Sequence, residues 1–371
     1  MYDGPSSVLV DYDPEYETPA IASLLEFISS FEYQICSVTL RLDWPNESIL
    51  ERLLEGTFGQ ARILKVISNP DFSSLDVLRE YQHSSFTRLE SLHFQNAAPP
   101  WLNWGLSNLT ELRLEDKGWT KPIFECHSVI SRCPSLERLV VKGFKCPSLD
   151  DVAITPVLLN KLKILEIEPG TISGLDTLLA SIQPEDGSLH VIVSLGDYGD
   201  GLKNFMDVLR QFIDRSRATT LQFISRKGPH FASSIGVLPH IQTLVLEGFY
   251  FSDLAPCREY PGDPAYYFNP APVTTKLRLW LHVRCLCLRR CTLQVQHASH
   301  LVSSPPTSAI YLNSCYKQNY DGRSLPFDTK VTKEDTDALS RLVPLAHIVT
   351  DESKEWVDVM LALKGRFINH D

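Results

Sequence analysis

The densest set of side chains able to hold a metal is Cys285, Cys287 and Cys291, with His282 and His297 nearby in the chain. A zinc site usually shows a C-x2–4-C pair with a second pair at a distance. Here Cys285 and Cys287 alternate with Leu286 and Leu288, a strand pattern that sends the two thiols to one face. No metal or other cofactor is expected. The segment LHVIVSL-GDYGDG-LKNF, from Leu189 to Phe205, has the strand–loop–helix order of a nucleotide site. Its glycines, Gly196, Gly199 and Gly201, do not follow G-x-G-x-x-G, no Gly-Lys follows them, and Asp197 and Asp200 would repel a phosphate. Glu166 and Glu168 could in principle share acid–base work, but two residues apart on a strand they read as solvated contacts. No G-x-S-x-G or H-E-x-x-H segment supplies a nucleophile or metal motif. The chain is therefore not expected to be an enzyme.

The elements that carry these residues repeat. The pattern L-x-x-L-x-L recurs as Leu89-Leu92-Phe94, Leu109-Leu112-Leu114, Leu136-Leu139-Val141, Leu162-Leu165-Ile167, Ile241-Leu244-Leu246 and Val283-Leu286-Leu288. Looser copies begin at positions 35, 61, 218, 307 and 345, and Leu189 to Leu195 is an apolar strand in phase with them. Most of the steps between copies fall in the window of 20–29 residues typical of leucine-rich repeats. In two copies a cysteine stands three residues after the last apolar position, Cys291 after Leu288 and Cys315 after Leu312. That slot turns the chain inward and bonds a neighbour's backbone. Between the strands, i, i+3, i+4 apolar stripes predict helices over 47–54, 175–182, 205–213, 332–342 and 355–363.

Strand and helix alternating at this period predict an α/β leucine-rich-repeat solenoid, a horseshoe with parallel strands on the concave face and helices on the convex face. The repeats, about 12 and irregular, would run over 35–371, after an acidic N-terminal segment and short helix over 1–34 that act as a cap. Two long steps predict loop insertions near 247–282 and 316–331.

Composition limits the function. The net charge of −10 and pI near 5.6 disfavour a nucleic-acid partner or an anionic membrane surface. No apolar run reaches the roughly 18 residues that would span a bilayer. Residues 1–17 hold neither Lys nor Arg and no apolar h-region, so they do not read as a signal peptide. Nine cysteines without framework spacing read as free thiols, and the expected location is the cytoplasm or nucleus.

What remains is the inner face of the strands. Positions 3, 5 and 7 of each motif should face it, giving His93, Glu111, Arg113, Arg138, Lys142 and Glu166 as a charged zone. Val193, with Val191 and Leu195, would form an apolar centre, and Gln222 would lie beyond it. Tyr250, Tyr266 and Tyr267 of the first insertion would flank this surface. An apolar centre with a charged rim suits a protein partner, with Arg113, Arg138 and the insertion's aromatics as anchors.

The segments CPSLERLVV (Cys133 to Val141), LPHIQTLVLEGFYFSD (Leu238 to Asp253) and VRCLCLRRCTL (Val283 to Leu293) resemble the leucine-rich-repeat region of fungal F-box proteins. The resemblance implies a substrate-recognition subunit of a cullin-type ubiquitin ligase, with a Skp-type adaptor and cullin as partners if an F-box lies upstream; no F-box is evident in this sequence. The alternatives are a ligand-sensing repeat receptor with a small-molecule pocket beneath the aromatic insertion, and an interaction module unrelated to ubiquitination.

Overall fold

The computed structural model describes residues 6–12, 35–42, 61–68, 88–96, 106–115, 123–144, 155–169, 175–185, 189–195, 202–225, 238–248, 250–251, 283–293, 309–313, 315–319, 327–342 and 347–350. The chain divides into two compact units, Met1–Leu189 and His190–Asp371. Each is a parallel-strand solenoid.

In the first unit the main sheet is β1 (Ser6–Tyr12), β2 (Ile35–Leu42), β3 (Ile63–Ser68), β4 (Ser91–Gln95), β5 (Glu111–Glu115), β6 (Arg138–Phe144) and β8 (Ile164–Pro169), adjacent in that order and parallel throughout. A second, two-stranded sheet pairs β7 (Val157–Leu159) with β9 (Ile182–Pro184). Helices α1 (Ile123–Ile130) and α2 (Leu175–Ser181) lie between strands in sequence. β1 falls within the stretch assigned to an acidic cap and is a further parallel strand. α1, β7 and β9 are likewise additions to the sequence reading.

The second unit repeats the plan with β10 (His190–Leu195), β11 (Thr220–Ser225), β12 (Thr243–Glu247), β14 (Cys285–Arg289), β16 (Ala309–Asn313) and β19 (His347–Thr350), again all parallel. A smaller sheet follows the strand ends: β13 (Tyr250–Phe251), β15 (Thr292–Leu293) and β17 (Tyr316–Asn319) run parallel, and β18 (Phe327–Lys330) closes it antiparallel to β17. The insertion expected near 316–331 is thus a hairpin. Most of the insertion expected near 247–282 lies outside the described residues. The helices are α3 (Leu202–Ser216) and α4 (Lys333–Leu342). Those predicted over 47–54 and 355–363, and the short N-terminal helix, lie outside the described residues.

One rule of packing builds every well-formed repeat. A tight turn precedes the strand, closed by N–H to carbonyl bonds from Leu109 to Leu106, Leu136 to Cys133, Leu162 to Leu159 and Ile241 to Leu238 (3.1–3.4 Å). The apolar pattern is therefore one step longer than the hexad: Leu106-x-x-Leu109-x-x-Leu112-x-Leu114 and its counterparts, all buried. The strand itself starts two residues after the first hexad position, because that residue sits in the turn. Successive turns are tied by backbone bonds that climb the stack, Glu90 N to Arg62 O, Thr110 N to Glu90 O, Glu137 N to Thr110 O and Lys163 N to Glu137 O, at 2.8 Å each.

At the far end of the strand the chain turns through a left-handed residue at equivalent repeat positions: Asn96 (φ 53°), Gly143 (φ 76°), Gly248 (φ 79°) and Arg290 (φ 52°). Each stands two residues after the last apolar residue of its motif. The N–H groups of Asn96 and Gly248 each donate to the next strand's last carbonyl, Glu115 O (2.8 Å) and Arg289 O (2.9 Å). A β-branched side chain is costly at positive φ. Gly248→Val is expected to lose about 2 kcal/mol in urea unfolding and Gly248→Asn clearly less; equal losses would mean that the corner has no left-handed requirement. The next slot is filled as its position predicts: Cys291 Sγ donates to Leu246 O and Cys315 Sγ to Leu288 O, both at 3.2 Å, each reaching the preceding strand.

Helix ends are locally encoded. Thr332 caps α4, accepting from Asp335 N at 3.3 Å while Asp335 Oδ2 accepts from Thr332 N at 3.0 Å, a reciprocal capping box. α3 packs Phe205, Met206, Leu209, Phe212 and Ile213 into the core. It stops at Arg217 (φ 48°), where Ala218 N bonds back to Ile213 O at 3.3 Å.

Candidate functional site

Alternation along a strand puts Leu112 and Leu114 in the core and Glu111, Arg113 and Glu115 on the second face. Parallel pairing then fixes rows across the first unit. One row is Ser91, Glu111, Arg138, Ile164. The next is His93, Arg113, Val140, Glu166. The third is Gln95, Glu115, Lys142, Glu168. Six of the residues singled out from sequence, His93, Glu111, Arg113, Arg138, Lys142 and Glu166, stand together in this grid on β4, β5, β6 and β8.

Their charges interlock within and between rows. Arg113 Nε donates to Glu111 Oε1 at 2.8 Å, and Ser91 Oγ donates to Glu111 Oε2 at 3.1 Å. Arg138 bridges two strands, with Nε 3.5 Å from Glu111 Oε1 and Nη2 donating to Glu166 Oε2 at 3.2 Å. Lys142 Nζ lies 2.7 Å from Glu166 Oε1 and 3.7 Å from Glu115 Oε1. His93 Nε2 is 3.6 Å from Glu115 Oε2. The side chains of Glu111 and Glu166 are each 12% exposed, so these pairs are less screened than ordinary surface pairs.

Burial by itself would raise the pKa of Glu111. The hydrogen bond and charge of Arg113, the charge of Arg138 and the Ser91 hydroxyl outweigh it and hold the carboxyl below the usual carboxylate range. The neighbouring His93 imidazole, and after it the charges of Lys142 and Arg113, hold Glu115 at about 2 against the opposing effect of burial. A folded pKa below the unfolded one adds stability that is present above the usual carboxylate value and lost as pH falls through the folded value. Glu111 and Glu115 are therefore ionised at neutral pH and unable to serve as proton donors.

In the second unit Gln222 lies on β11, and its Nε2 donates to Glu247 Oε2 at 3.3 Å. Glu247 also faces Arg289 Nη1 at 3.4 Å and Arg290 Nη1 at 3.6 Å. The role of Arg289 and Arg290 was not legible in the sequence, because it arises from β12–β14 register.

Val193 requires correction. It was expected on the inner face, yet it is fully buried and in register with Phe223, which is in register with Leu246, both core residues. Val191 likewise aligns with Leu221 and Leu244. The second face of β10 carries His190, Ile192 and Ser194 instead. A one-residue slip in phase moves a whole strand's side chains to the opposite face. Within the second unit, Ile192, Val245 and Cys287, all at least nine-tenths buried, share one row of the second face with Gln222. Tyr250 lies in β13; Tyr266 and Tyr267 lie outside the described residues.

Among the described residues no group of three or more His, Cys, Asp or Glu side chains could hold a metal ion, and no helix is long and apolar enough to cross a membrane. Cys36, Cys133, Cys285, Cys287, Cys291 and Cys315 are free thiols. Burial pushes the Cys133 thiol up to about 12, which removes it from reactivity at neutral pH.

No family model matches this chain, and no curated protein matches it. Among solved structures, the chain is similar to a Bacteroides fragilis protein determined by crystallography as a structural-genomics target. That likeness has 15% identity and a TM-score of 0.36, over 82% of this chain and 73% of the other. At that level it carries no argument about architecture or role.

Proposed function

We propose that the chain is a leucine-rich-repeat protein that holds another protein, without catalysis, on the strand face opposite its core. The observation that carries this reading is the charged grid of the first unit. Parallel register brings Glu111, Arg113, Glu115, Arg138, Lys142 and Glu166 from three strands into contact. Their mutual pairing fixes the rotamers of long side chains in advance, which lowers the entropy lost when a partner docks. The recurring motif and the cysteine bonds at the ladder slot support the leucine-rich-repeat assignment, with the grid on the concave wall of a horseshoe. By the resemblance of its repeats to those of F-box proteins, we assign the bound protein as a substrate presented to a ubiquitin ligase, in the cytoplasm or nucleus.

Affinity capture from cells with the full chain tests the proposal. Arg113→Ala and Lys142→Ala, both on the grid, are expected to lose the recovered partner. Lys163→Ala, which removes only the exposed turn pair with Glu137 at 2.8 Å, should retain it. Partners indifferent to both grid substitutions would refute a binding role for this face. Recovery of a Skp-type adaptor and a cullin supports the ligase assignment; face-dependent partners without them leave an interaction module of another kind.

A further inference from the structure

Cys285 and Cys287 project from β14 on the second face, with their sulfurs 3.7 Å apart. They flank Leu286 and lie away from the ladder bond that occupies Cys291. Cys285 is half-buried between Thr243 and Ala309 in the adjoining strands, both short side chains, so the thiol is approachable. Cys287 lies two residues further along the strand, between Val245 and Tyr311, and is 2% exposed.

The separation has a chemical meaning. Two sulfurs bonded at about 2.3 Å to one soft centre stand about 3.3 Å apart when the centre is pyramidal with angles near 90°, and about 3.8 Å apart when it is tetrahedral. At 3.7 Å the pair has the tetrahedral spacing and needs only a small side-chain rotation for the pyramidal one. A direct disulfide is less well served: two residues apart on an extended strand, the Cα atoms are about 6.6 Å apart. That is the far end of the roughly 4.4–6.8 Å span that disulfides use. Bridging through a third atom therefore fits better than joining sulfur to sulfur.

The geometry points to Cys285 and Cys287 as a chelating dithiol for a thiophilic centre, a trivalent arsenical or a soft closed-shell cation, bound by two sulfurs and reached from the half-buried Cys285 side. The hydrogen bond between the two thiols favours the Cys285 thiolate against the effect of burial and, together with burial, pushes the Cys287 thiol up. Cys285 is therefore the first to bond, and Cys287 gives up its proton only as the second bond forms. With an aryl arsenoxide both thiols surrender their protons to the oxide oxygen, which leaves as water. Two sulfur–arsenic bonds replace the arsenic–oxygen double bond, and arsenic remains trivalent. With a divalent cation two protons leave and two sulfur–metal bonds form.

The test uses the reduced full chain with phenylarsine oxide and, in a separate arm, cadmium ion. Expected is one arylarsenic group bridging the peptide that contains Cys285 and Cys287, resistant to a monothiol and released by 2,3-dimercaptopropanol. Cys285→Ser should abolish it, and Cys36→Ser, at a half-buried single thiol, should leave it unchanged. Peptide mapping of the unmutated chain keeps the test decisive if a variant misfolds. Arsenic without cadmium absorbance assigns the site to metalloids, and both together assign it to soft cations as well. Capture mapped to other cysteines, or none in either arm, overturns the proposal.

Discussion

Arg138→Glu is expected to destabilise the first unit by about 3–4 kcal/mol at pH 7, because it sets a third carboxylate between two that are mostly out of water. Glu111 Oε1 and Glu166 Oε2 lie 3.5 and 3.2 Å from the guanidinium that would be lost. Arg138→Met keeps most of the apolar stem and leaves each carboxylate one cation, Arg113 at 2.8 Å for Glu111 and Lys142 at 2.7 Å for Glu166. It should cost only about 1–2 kcal/mol. The two variants also differ in pH response. Crowding three carboxylates raises their folded pKa values above the unfolded ones, a penalty present at higher pH and removed as pH falls and protons bind. The gap between wild type and Arg138→Glu, read by urea unfolding, should therefore narrow from pH 7 towards pH 4. A gap that stays constant would mean that the carboxylates are better solvated than their 12% exposure implies.

The second large effect concerns the strand whose phase the sequence misplaced. Val193→Asp is expected to abolish cooperative unfolding of the second unit or lower its stability by more than about 4 kcal/mol, since an unpaired carboxylate enters the core. Ser194→Asp, one residue along and on the second face, should cost less than about 1 kcal/mol. Circular dichroism with urea titration distinguishes the two. Equal tolerance of both would refute the β10–β11 register, in which Val193 lies beside Phe223.

These substitutions also show where sequence patterns informed and where they failed. The hexads located the main-sheet strands from β2 to β19 because Leu112 and Leu114, or Leu286 and Leu288, alternate with polar or small residues and mark the core face. The rule lost its phase at Leu189 to Leu195, where apolar residues occupy positions 189, 191, 192, 193 and 195 and leave no alternation to follow. β7, β9, β13 and β15 are two or three residues long, too short to have a period. β1 lies between acidic residues that read as a cap. The left-handed corner escaped notice because Asn96, Gly143, Gly248 and Arg290 share a backbone angle and no side-chain chemistry. The charged residues of the grid were legible as members of one face. Their pairings were not, since Arg138 meets Glu166 only once register is known.

Row geometry has an evolutionary corollary. Apart from the pair Arg113 and Glu111 on a single strand, a substitution in one square of the grid is answered by a square on the next strand, 20 to 28 residues away in the chain, as between Ser91 and Glu111 or Arg138 and Glu166. Compensating changes among descendants of this gene should therefore recur at the length of one repeat. Recognition can drift one square at a time while the leucines beneath stay fixed.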